Sequence, residues 1–257
     1  MAQYSHSKLS TFEQCKLKYK FKYIDKITPD FKSTIEAHLG SSVHNTFEWM
    51  YHEILKGRVP ELDEVIQYYS KEWQDNYTEE HKIVKEYLKP EDYFNKGVKF
   101  LIDYYVTHQP FEDGTLEMEK QVNLKLHPEK PHTIIGYIDR LVFDKERNRY
   151  EIHDYKTANF LPKQEKFDQD RQLALYAIAI RELFGKDKKI LLIWHYLNHN
   201  QKIISKRTDE EYDKLRQDII NLIDEIESTK EFPPNPSQLC DWCEYKNSCP
   251  VWNKKLG

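Results

Sequence analysis

The sequence predicts a mixed α/β fold in which helices flank a central sheet, with a helical N-terminal portion and a C-terminal cysteine segment. The order of helices and strands is indicated by changes in the spacing of apolar residues along the chain. Apolar residues recur at helical spacing through the first third, and they alternate with polar residues through the middle. An amphipathic helix then separates the middle strands from a further pair of strands.

The first third of the chain predicts a series of helices. Ser41 or Ser42 is suited to cap the first one, because a serine hydroxyl accepts a hydrogen bond from the first helical turn. The apolar face of this predicted helix carries Val43, Phe47, Tyr51, Ile54 and Leu55. Two further helices are expected over residues 61–77 and 91–108.

The middle region alternates with a period of two, which is typical of strands. The predicted strands are 116–126, 132–144 and 149–157. A short charged turn, "KERN", separates the last two. We therefore expect these three strands to form an antiparallel meander.

Helix and strand then alternate through the rest of the core. Residues 168–185 predict one amphipathic helix that ends at a glycine. The strands that follow are 189–197, which has the apolar composition of a buried strand, and 202–206. Thr208 and Glu211 form a capping box for a last helix that extends to Ser228.

The composition is that of a soluble, folded protein. Of its 257 residues, 39% are hydrophobic and 32% are charged, and 18 tyrosines with 12 phenylalanines argue against disorder. No apolar run reaches membrane-spanning length, and the N-terminus has no apolar signal core. We therefore expect a cytoplasmic protein with no membrane partner. In a reducing compartment its four cysteines are expected to be metal ligands or free thiols.

The formal net charge of −4 excludes a uniformly basic nucleic-acid-binding protein, but a local patch of positive charge could still bind nucleic acid. Residues 8–32 contain such a patch, in which Tyr19, Phe21 and Tyr23 alternate with lysines. Its lysines are Lys8, Lys16, Lys18, Lys20, Lys22, Lys26 and Lys32. This pattern suits contacts to phosphates and stacking on bases. It equally suits a solvated lysine face above buried aromatic side chains.

Two aspartates and a lysine in the middle strands are candidates for catalysis. Asp154 and Lys156 are two residues apart in a strand, so both project from one face. Asp139 lies in an apolar strand, where burial of a carboxylate is costly unless it binds a cation or a partner. Neighbouring strands can bring the two aspartates together, and Mg²⁺ or Mn²⁺ held there can activate water. The alternative is a surface ion pair, Asp154–Lys156 or Asp139–Arg140.

Four short motifs resemble those of a known nuclease family. "GYIDRLVF" (136–143) and "YEIHDYKT" (150–157) resemble the second and third motifs of the PD-(D/E)XK nucleases, in which the second acid and the lysine form a D-x-K. "GSSVH" (40–44) resembles the G-x-x-x-H motif of the RecB-like branch, and "QLALY" (172–176) resembles its Q-x-x-x-Y motif. The resemblance extends from about residue 7 to residue 250 and implies a restriction-endonuclease-like core.

This resemblance implies roles for residues in all four motifs. The implied metal ligands are His44, Asp139, Asp154 and the carbonyl group of Tyr155. Lys156 is implied to position or activate the attacking water. Gln172 and Tyr176 are implied to brace the site and the substrate backbone.

The segment "CDWCEYKNSC" (240–249) contains Cys240, Cys243 and Cys249, and Cys15 is the remaining cysteine. Thiolates in a Cys-x₂-Cys pair can hold one metal centre, and four thiolates suit either Zn²⁺ or an iron–sulfur cluster. The alternative is a set of unrelated buried thiols.

The RecB-like branch includes iron–sulfur members, among them the AddB nuclease domain and the CRISPR-associated nuclease of spacer acquisition. Their pattern of one cysteine before the core and three after it is similar to this chain. "SKLSTFEQC" (7–15) resembles the family's S-x-L-x-x-F-x-x-C-P opening, with Lys16 in place of the proline. The resemblance implies a [4Fe–4S] cluster, with zinc as the alternative, that joins the N-terminal segment to the tail.

The resemblance implies a Mg²⁺- or Mn²⁺-dependent deoxyribonuclease, an exonuclease that acts on single-stranded DNA ends. The rival hypothesis is a DNA-binding or complex-assembly module of the same fold with little catalysis. No G-x-x-x-x-G-K-[ST] loop occurs, so a helicase motor or an integrase would be a separate partner protein. CRISPR adaptation, repair and viral replication stay open as pathways, as does a homo-oligomer.

We expect one nuclease domain over residues 1–257. Its expected parts are a helical portion (1–110), the nuclease core (111–230) and a cluster-binding tail (231–257).

Overall fold

The computed structural model describes residues 2–127 and 132–253, and its mixed α/β architecture confirms the predicted fold class. The strands are β1 (Ala2–Tyr4), β2 (Thr115–Lys125), β3 (His132–Asp144), β4 (Arg149–Lys156), β5 (Lys189–Tyr196) and β6 (Gln201–Ser205). The helices are α1 (His6–Gln14), α2 (Lys16–Tyr19), α3 (Ile35–Leu55), α4 (Leu62–Asn76), α5 (Pro90–His108), α6 (Gln164–Asp168), α7 (Gln172–Phe184) and α8 (Asp209–Ser228).

The described strands form one mixed sheet. Strands β2, β3 and β4 make the antiparallel meander that the sequence predicts. Strands β4 and β5 are parallel, with α6 and α7 between them in the chain, and β6 pairs antiparallel with β5. Because β4 and β5 run in the same direction, their carboxyl ends lie at the same edge of the sheet, which is where ligands bind in sheets of this kind.

One edge of β3 is shared by two strands. Strand β1 pairs with residues 132–134 and β4 pairs with residues 140–144, while β2 occupies the opposite edge. Residues 135–139 therefore have no strand of the described chain beside them on the first edge. Asp139 is the last residue of this gap, and it lies next to Arg140, where the pairing of β3 with β4 ends while β4 continues alongside β5.

Helices cover both faces of the sheet. On one face α7 and α8 pack around a core that includes Leu173 and Trp194. On the other face α3, α4 and α5 pack around a core that includes Phe47 and Tyr155. The sheet is thus close-packed on both sides, which limits its movement and holds the ends of its strands in register.

Helix α3 begins earlier than the sequence predicts. Its first residue is Ile35, and Oγ1 of Thr34 accepts a hydrogen bond from the N–H of Ala37 (3.3 Å). The prediction that Ser41 or Ser42 caps this helix is therefore wrong. Thr34 supplies the same capping chemistry about two turns upstream, and the complete burial of Ile35 favours this earlier start.

The helix predicted over residues 168–185 is interrupted. Helix α6 ends at Asp168 and α7 begins at Gln172. The carboxylate of Asp170 accepts a hydrogen bond from the N–H of Gln172 (2.9 Å), so it satisfies the first turn of α7 and starts a new helix. The glycine end is as predicted, because Gly185 follows α7 with a φ of 119°.

The lysine-rich segment 8–32 is largely helical and packs against the C-terminal tail. Lys18 and Lys22 both contact the carboxylate of Glu244, at 2.7 and 3.1 Å. Tyr19 is buried. These contacts favour the interpretation of this segment as a lysine face above buried aromatic side chains.

The last predicted helix forms as expected, since Thr208 and Glu211 make the capping box and α8 ends at Ser228. None of the helices in the described part of the chain combines the length and the apolar character needed to cross a bilayer.

Candidate active site

His44, Asp139 and the end of β4 meet at the gap in the sheet. Nε2 of His44 donates a hydrogen bond to the carbonyl oxygen of Tyr155 (2.8 Å) when it carries the ring proton. Nδ1 of His44 lies 3.4 Å from Oδ2 of Asp139, and that oxygen accepts a hydrogen bond from the N–H of Tyr155 (2.8 Å). In this tautomer a nitrogen lone pair faces a carboxylate, an arrangement that a cation between them stabilises.

Glu119 completes a set of three candidate metal ligands. Ligand atoms of His44, Glu119 and Asp139 all lie within 4.8 Å of one another. Glu119 and Asp139 lie between the paired positions Met118–Arg140 and Lys120–Ile138 of β2 and β3, and the backbone at Glu119 has a φ of 46°. Carboxylate oxygens suit Mg²⁺ and Mn²⁺, and an imidazole nitrogen is a common transition-metal ligand.

Sequence analysis missed Glu119. The strand that contains it also carries Glu117, and the alternation of the strand does not distinguish the two residues. The only available signal was an acidic residue in the strand that precedes Asp139. Its use required the strand register, which the sequence does not supply.

The electrostatics of these acids favour a bound cation. Burial raises the pKa of Asp139 to about 7, and the carboxylates of Asp154 and Glu119 act in the same direction, whereas His44 and the N–H of Tyr155 oppose the rise. Burial also raises the pKa of Glu119. A divalent cation stabilises the ionised form of such crowded acids.

Asp154, Lys156 and Gln172 form a second, closely connected group. Nζ of Lys156 lies 2.9 and 2.8 Å from the two carboxylate oxygens of Asp154. The side chain of Gln172 accepts a hydrogen bond from Lys156 and donates one to Asp154, each 3.3 Å long. Burial disfavours charge on Lys156, but Asp154 more than offsets this effect and raises the pKa of the ammonium group. Lys156 is thus held as a cation.

Tyr176 lies one turn after Gln172 on α7 and is buried against β3. Its ring fills the space beside Gly136, where a Cβ atom would lie only 2.2 Å from Cε1 of the tyrosine. The motif that contains Gly136 therefore meets the motif that contains Tyr176. The contact fixes the position of α7, and through α7 that of Gln172, on the sheet.

All of the motif residues thus lie in one region, in two groups that adjoin at Tyr155. Asp154 is not in the set of three close metal ligands, and its own contacts are with Lys156 and Gln172. The alternative of surface ion pairs does not describe the structure. The Asp154–Lys156 pair is largely buried. Arg140 does not pair with Asp139, because its side chain lies on the face of the sheet that α3 covers, where it contacts Asp113 and His153.

The four cysteines of the chain line one cavity. Cys15, Cys240, Cys243 and Cys249 form its wall together with Phe21, Tyr245 and Trp252. No disulfide joins them. The sulfur of Cys15 accepts a hydrogen bond from the N–H of Lys18 (3.5 Å), and that of Cys240 accepts one from the N–H of Ser237 (3.3 Å). Such N–H···S contacts stabilise thiolates that bind a metal centre.

Hydrogen bonds on both sides of this cavity join the N-terminal segment to the tail. The N–H of Leu17 donates to the carbonyl of Pro233 (3.3 Å), and the Asn235 amide donates to the carbonyl of Gln14 (2.9 Å). The N–H of Asp30 donates to the carbonyl of Glu244 (2.7 Å). Residues that are more than 200 positions apart in the chain are therefore held together at the cysteines.

Comparison with solved structures places the fold among known proteins. A candidate exonuclease from Eubacterium rectale shares 14% identity with this chain, with a TM-score of 0.52 over 94% of this chain and 86% of that one. The protein SSO0001 shares 13% identity over 97% of this chain and 86% of its own, with a TM-score of 0.45. No curated protein sequence matches the chain significantly.

A family comparison of the sequence itself is decisive. The sequence model of the PD-(D/E)XK nuclease superfamily matches residues 3–250, which include every residue of both groups at the site and all four cysteines. The chain therefore belongs to the PD-(D/E)XK nuclease superfamily.

Proposed function

We propose that this protein is a Mg²⁺- or Mn²⁺-dependent deoxyribonuclease of the RecB-like type, an exonuclease that acts on single-stranded DNA ends. One observation carries this proposal. The ligand set of His44, Glu119 and Asp139 adjoins the Asp154–Lys156–Gln172 group at the end of β4, within the residues that the superfamily model matches.

Each residue of the site has a separate role in the proposed hydrolysis of a phosphodiester bond. His44, Glu119 and Asp139 would hold a divalent cation, which would supply an activated water and neutralise charge on the phosphoryl group. Lys156, kept positively charged by Asp154, attracts the phosphate and orients the water. Gln172 limits the movement of both side chains, because it is bonded to each of them. Asp154 would be a further ligand of this cation, as the resemblance to the D-x-K motif implies.

We propose that the cysteines bind a [4Fe–4S] cluster that fastens the tail to the N-terminal segment. The cavity that Cys15 shares with Cys240, Cys243 and Cys249 supports a metal centre bound by both segments. Four thiolates suit either a cluster or a zinc ion, and the resemblance of the cysteine pattern to the iron–sulfur members of the RecB-like branch favours the cluster.

The proposal covers the whole chain as one nuclease domain, with the parts 1–110, 111–230 and 231–257; residues 254–257 lie outside the described part. It places the protein inside the cell, beside a separate helicase or integrase, in a pathway of CRISPR adaptation, repair or viral replication.

A digestion assay tests the activity. Single-stranded oligonucleotides labelled at the 5′ or the 3′ end, and a circular single strand, are incubated with Mn²⁺, Mg²⁺ or a chelator. We expect metal-dependent shortening of the linear strands and an intact circle. Cleavage of the circle would show an endonuclease. DNA binding without hydrolysis by any metal would support the rival binding module and contradict the proposal.

A further inference from the structure

The loop that leaves the catalytic strand presents an exposed aromatic ring. Residues 157–163 connect β4 to α6, and the side chain of Phe160 in this loop is 75% exposed. A second exposed ring, Tyr87 at 79%, belongs to the segment before α5 and lies near Tyr93 of that helix. An exposed aromatic ring offers a flat face on which a nucleic-acid base can stack.

The loop is anchored, so that Phe160 is held in place. Nζ of Lys96 on α5 donates a hydrogen bond to the side-chain oxygen of Asn159. The ring of His199 donates one to the carbonyl of Asn159 (3.0 Å), and Leu161 packs against the core. The phenyl ring therefore stands between two residues that are fixed to the rest of the protein.

The same loop borders the candidate active site. Phe160 follows Lys156 by four residues, a distance that a fully extended chain covers in at most about 14 Å. Thr157 lies against α3, because a Cβ atom at Gly40 would be 3.5 Å from its Oγ1. Gly40 begins the motif that ends at His44. A polymer bound at Phe160 is therefore within a few nucleotides of the metal ligands.

Two lysines, Lys85 and Lys96, lie near these rings. Lys85 lies close enough to Lys96 to lower the pKa of that lysine, in addition to the larger effect of burial. Within the described residues neither lysine forms an ion pair, and the nearby carboxylate of Glu36 accepts a hydrogen bond from Tyr93 (3.0 Å). Two lysines that repel each other form a suitable site for a phosphate group.

We propose that Lys85, Tyr87, Lys96 and Phe160, called here the basic–aromatic strip, bind single-stranded DNA on its way to the active site. The lysines contact phosphates, and the two rings stack on bases. In a duplex the faces of the bases are already stacked on each other, so the rings favour a single strand. This inference rests on the proposed nuclease function, to which it adds the path of the substrate.

Binding measurements test the strip apart from catalysis. The full-length Asp154→Asn variant serves as an inactive background, and fluorescence anisotropy reports its affinity for a labelled 12-mer single strand and for a hairpin duplex. We expect Phe160→Ala to weaken binding of the single strand by about 5- to 150-fold and to change binding of the duplex far less. We expect Lys96→Ala to reduce the salt dependence of binding by about one phosphate contact.

Phe184→Ala is the matched control, because this ring is 40% exposed and lies at the opposite end of α7 from Gln172. Unchanged affinity in both Phe160→Ala and the Lys85→Ala/Lys96→Ala double variant overturns the inference, as does an equal loss for single strand and duplex. If the wild-type protein does not hydrolyse DNA but the strip variants are still impaired in binding, the nuclease function is refuted and the DNA-binding role of the strip is supported. If the wild-type protein hydrolyses DNA and the strip variants bind DNA normally, the nuclease function is supported and the role of the strip is refuted.

Discussion

Oδ2 of Asp139 accepts a hydrogen bond from the backbone N–H of Tyr155, 2.8 Å away, and this contact joins β3 to the end of β4. The strand ladder between them ends at the pair Arg140–His153. Beyond that pair the Asp139 carboxylate takes the place of a ladder acceptor. The carbonyl of the same residue, Tyr155, accepts the hydrogen bond from His44. One residue of β4 therefore connects the two ligands that the sequence places 95 positions apart.

Removal of either charge in the Asp154–Lys156 pair is expected to abolish cleavage. We expect Asp154→Ala and Lys156→Ala each to lower the rate at least about 100-fold, because a charged group beside the scissile phosphate is lost. Digestion of a labelled oligonucleotide with Mn²⁺ measures the rate, and circular dichroism confirms folding. Lys145→Ala, in the exposed β3–β4 turn, is the control. Mn²⁺-dependent activity that survives both substitutions would refute the site assignment.

Glu119→Gln is expected to weaken metal binding. The amide is a poorer ligand than the carboxylate it replaces, and the charge that balances the cation is lost. Calorimetric titration with Mn²⁺ should show at least about a 10-fold lower affinity. Glu117→Gln on the same strand is the matched control, because Glu117 is exposed and pairs with Lys120. Equal affinities of the two variants would remove Glu119 from the ligand set.

A [4Fe–4S] cluster bound by the four cysteines is expected to give the protein a brown colour. Purified without oxygen, the wild-type protein should contain iron and sulfide and absorb broadly in the violet–blue region. Cys15→Ser should lose this absorbance and unfold at a lower temperature, because the N-terminal segment is no longer tied to the tail. A colourless wild-type protein with stoichiometric zinc would contradict the cluster.

The contact between Gly136 and Tyr176 predicts a steric conflict. Gly136→Ala places a methyl group where the tyrosine ring stands, so we expect a loss of about 1–3 kcal/mol in the free energy of unfolding. Chemical denaturation measures this loss. In a Tyr176→Ala background the same substitution should cost much less, since the cavity accommodates the methyl group. Equal costs in both backgrounds would show that the two residues are not coupled.

Three histidines on the face of the sheet that α5 covers predict a dependence of stability on pH: His153 and His195 are buried, and His108 is partly buried. Burial lowers the pKa values of His108, His153 and His195, and the Arg140 guanidinium acts in the same direction. Above the unfolded-state pKa of about 6.5 both states carry neutral rings. Below it the unfolded chain binds protons that the folded chain excludes, so the free energy of unfolding falls as the pH falls.

Denaturation between pH 7 and pH 4.5 measures this slope. His195→Gln keeps a donor for Nδ1 of His153, which lies 2.8 Å from Nε2 of His195, and it should make the slope shallower. His52→Gln is the control, because the side chain of His52 is 49% exposed. A slope that is the same in all three proteins would show that His195 excludes no proton on folding.

The sequence by itself determined the order of the elements and most of their bounds. Strand β3 was predicted at its observed limits, and the capping box of Thr208 and Glu211 was predicted with its helix. These features depend on local periodicity and on side chains that bond to the nearest backbone, so the sequence contains the necessary information. The D-x-K, G-x-x-x-H and Q-x-x-x-Y motifs likewise pointed to one site, because a family resemblance carries tertiary information that periodicity does not.

Only the tertiary structure decided which acids face one another. Glu119 joins His44 and Asp139 because the register of β2 on β3 places it at the level of Asp139, whereas Glu117 on the same strand is paired with Leu141. The interruption before α7 depends on the Asp170 carboxylate, which competes with the helical hydrogen bonds that the amphipathic pattern predicts. The meeting of Cys15 with the tail depends on contacts between the two ends of the chain. Register, local competition and long-range contact are properties of the packed chain, and for this reason a linear pattern cannot express them.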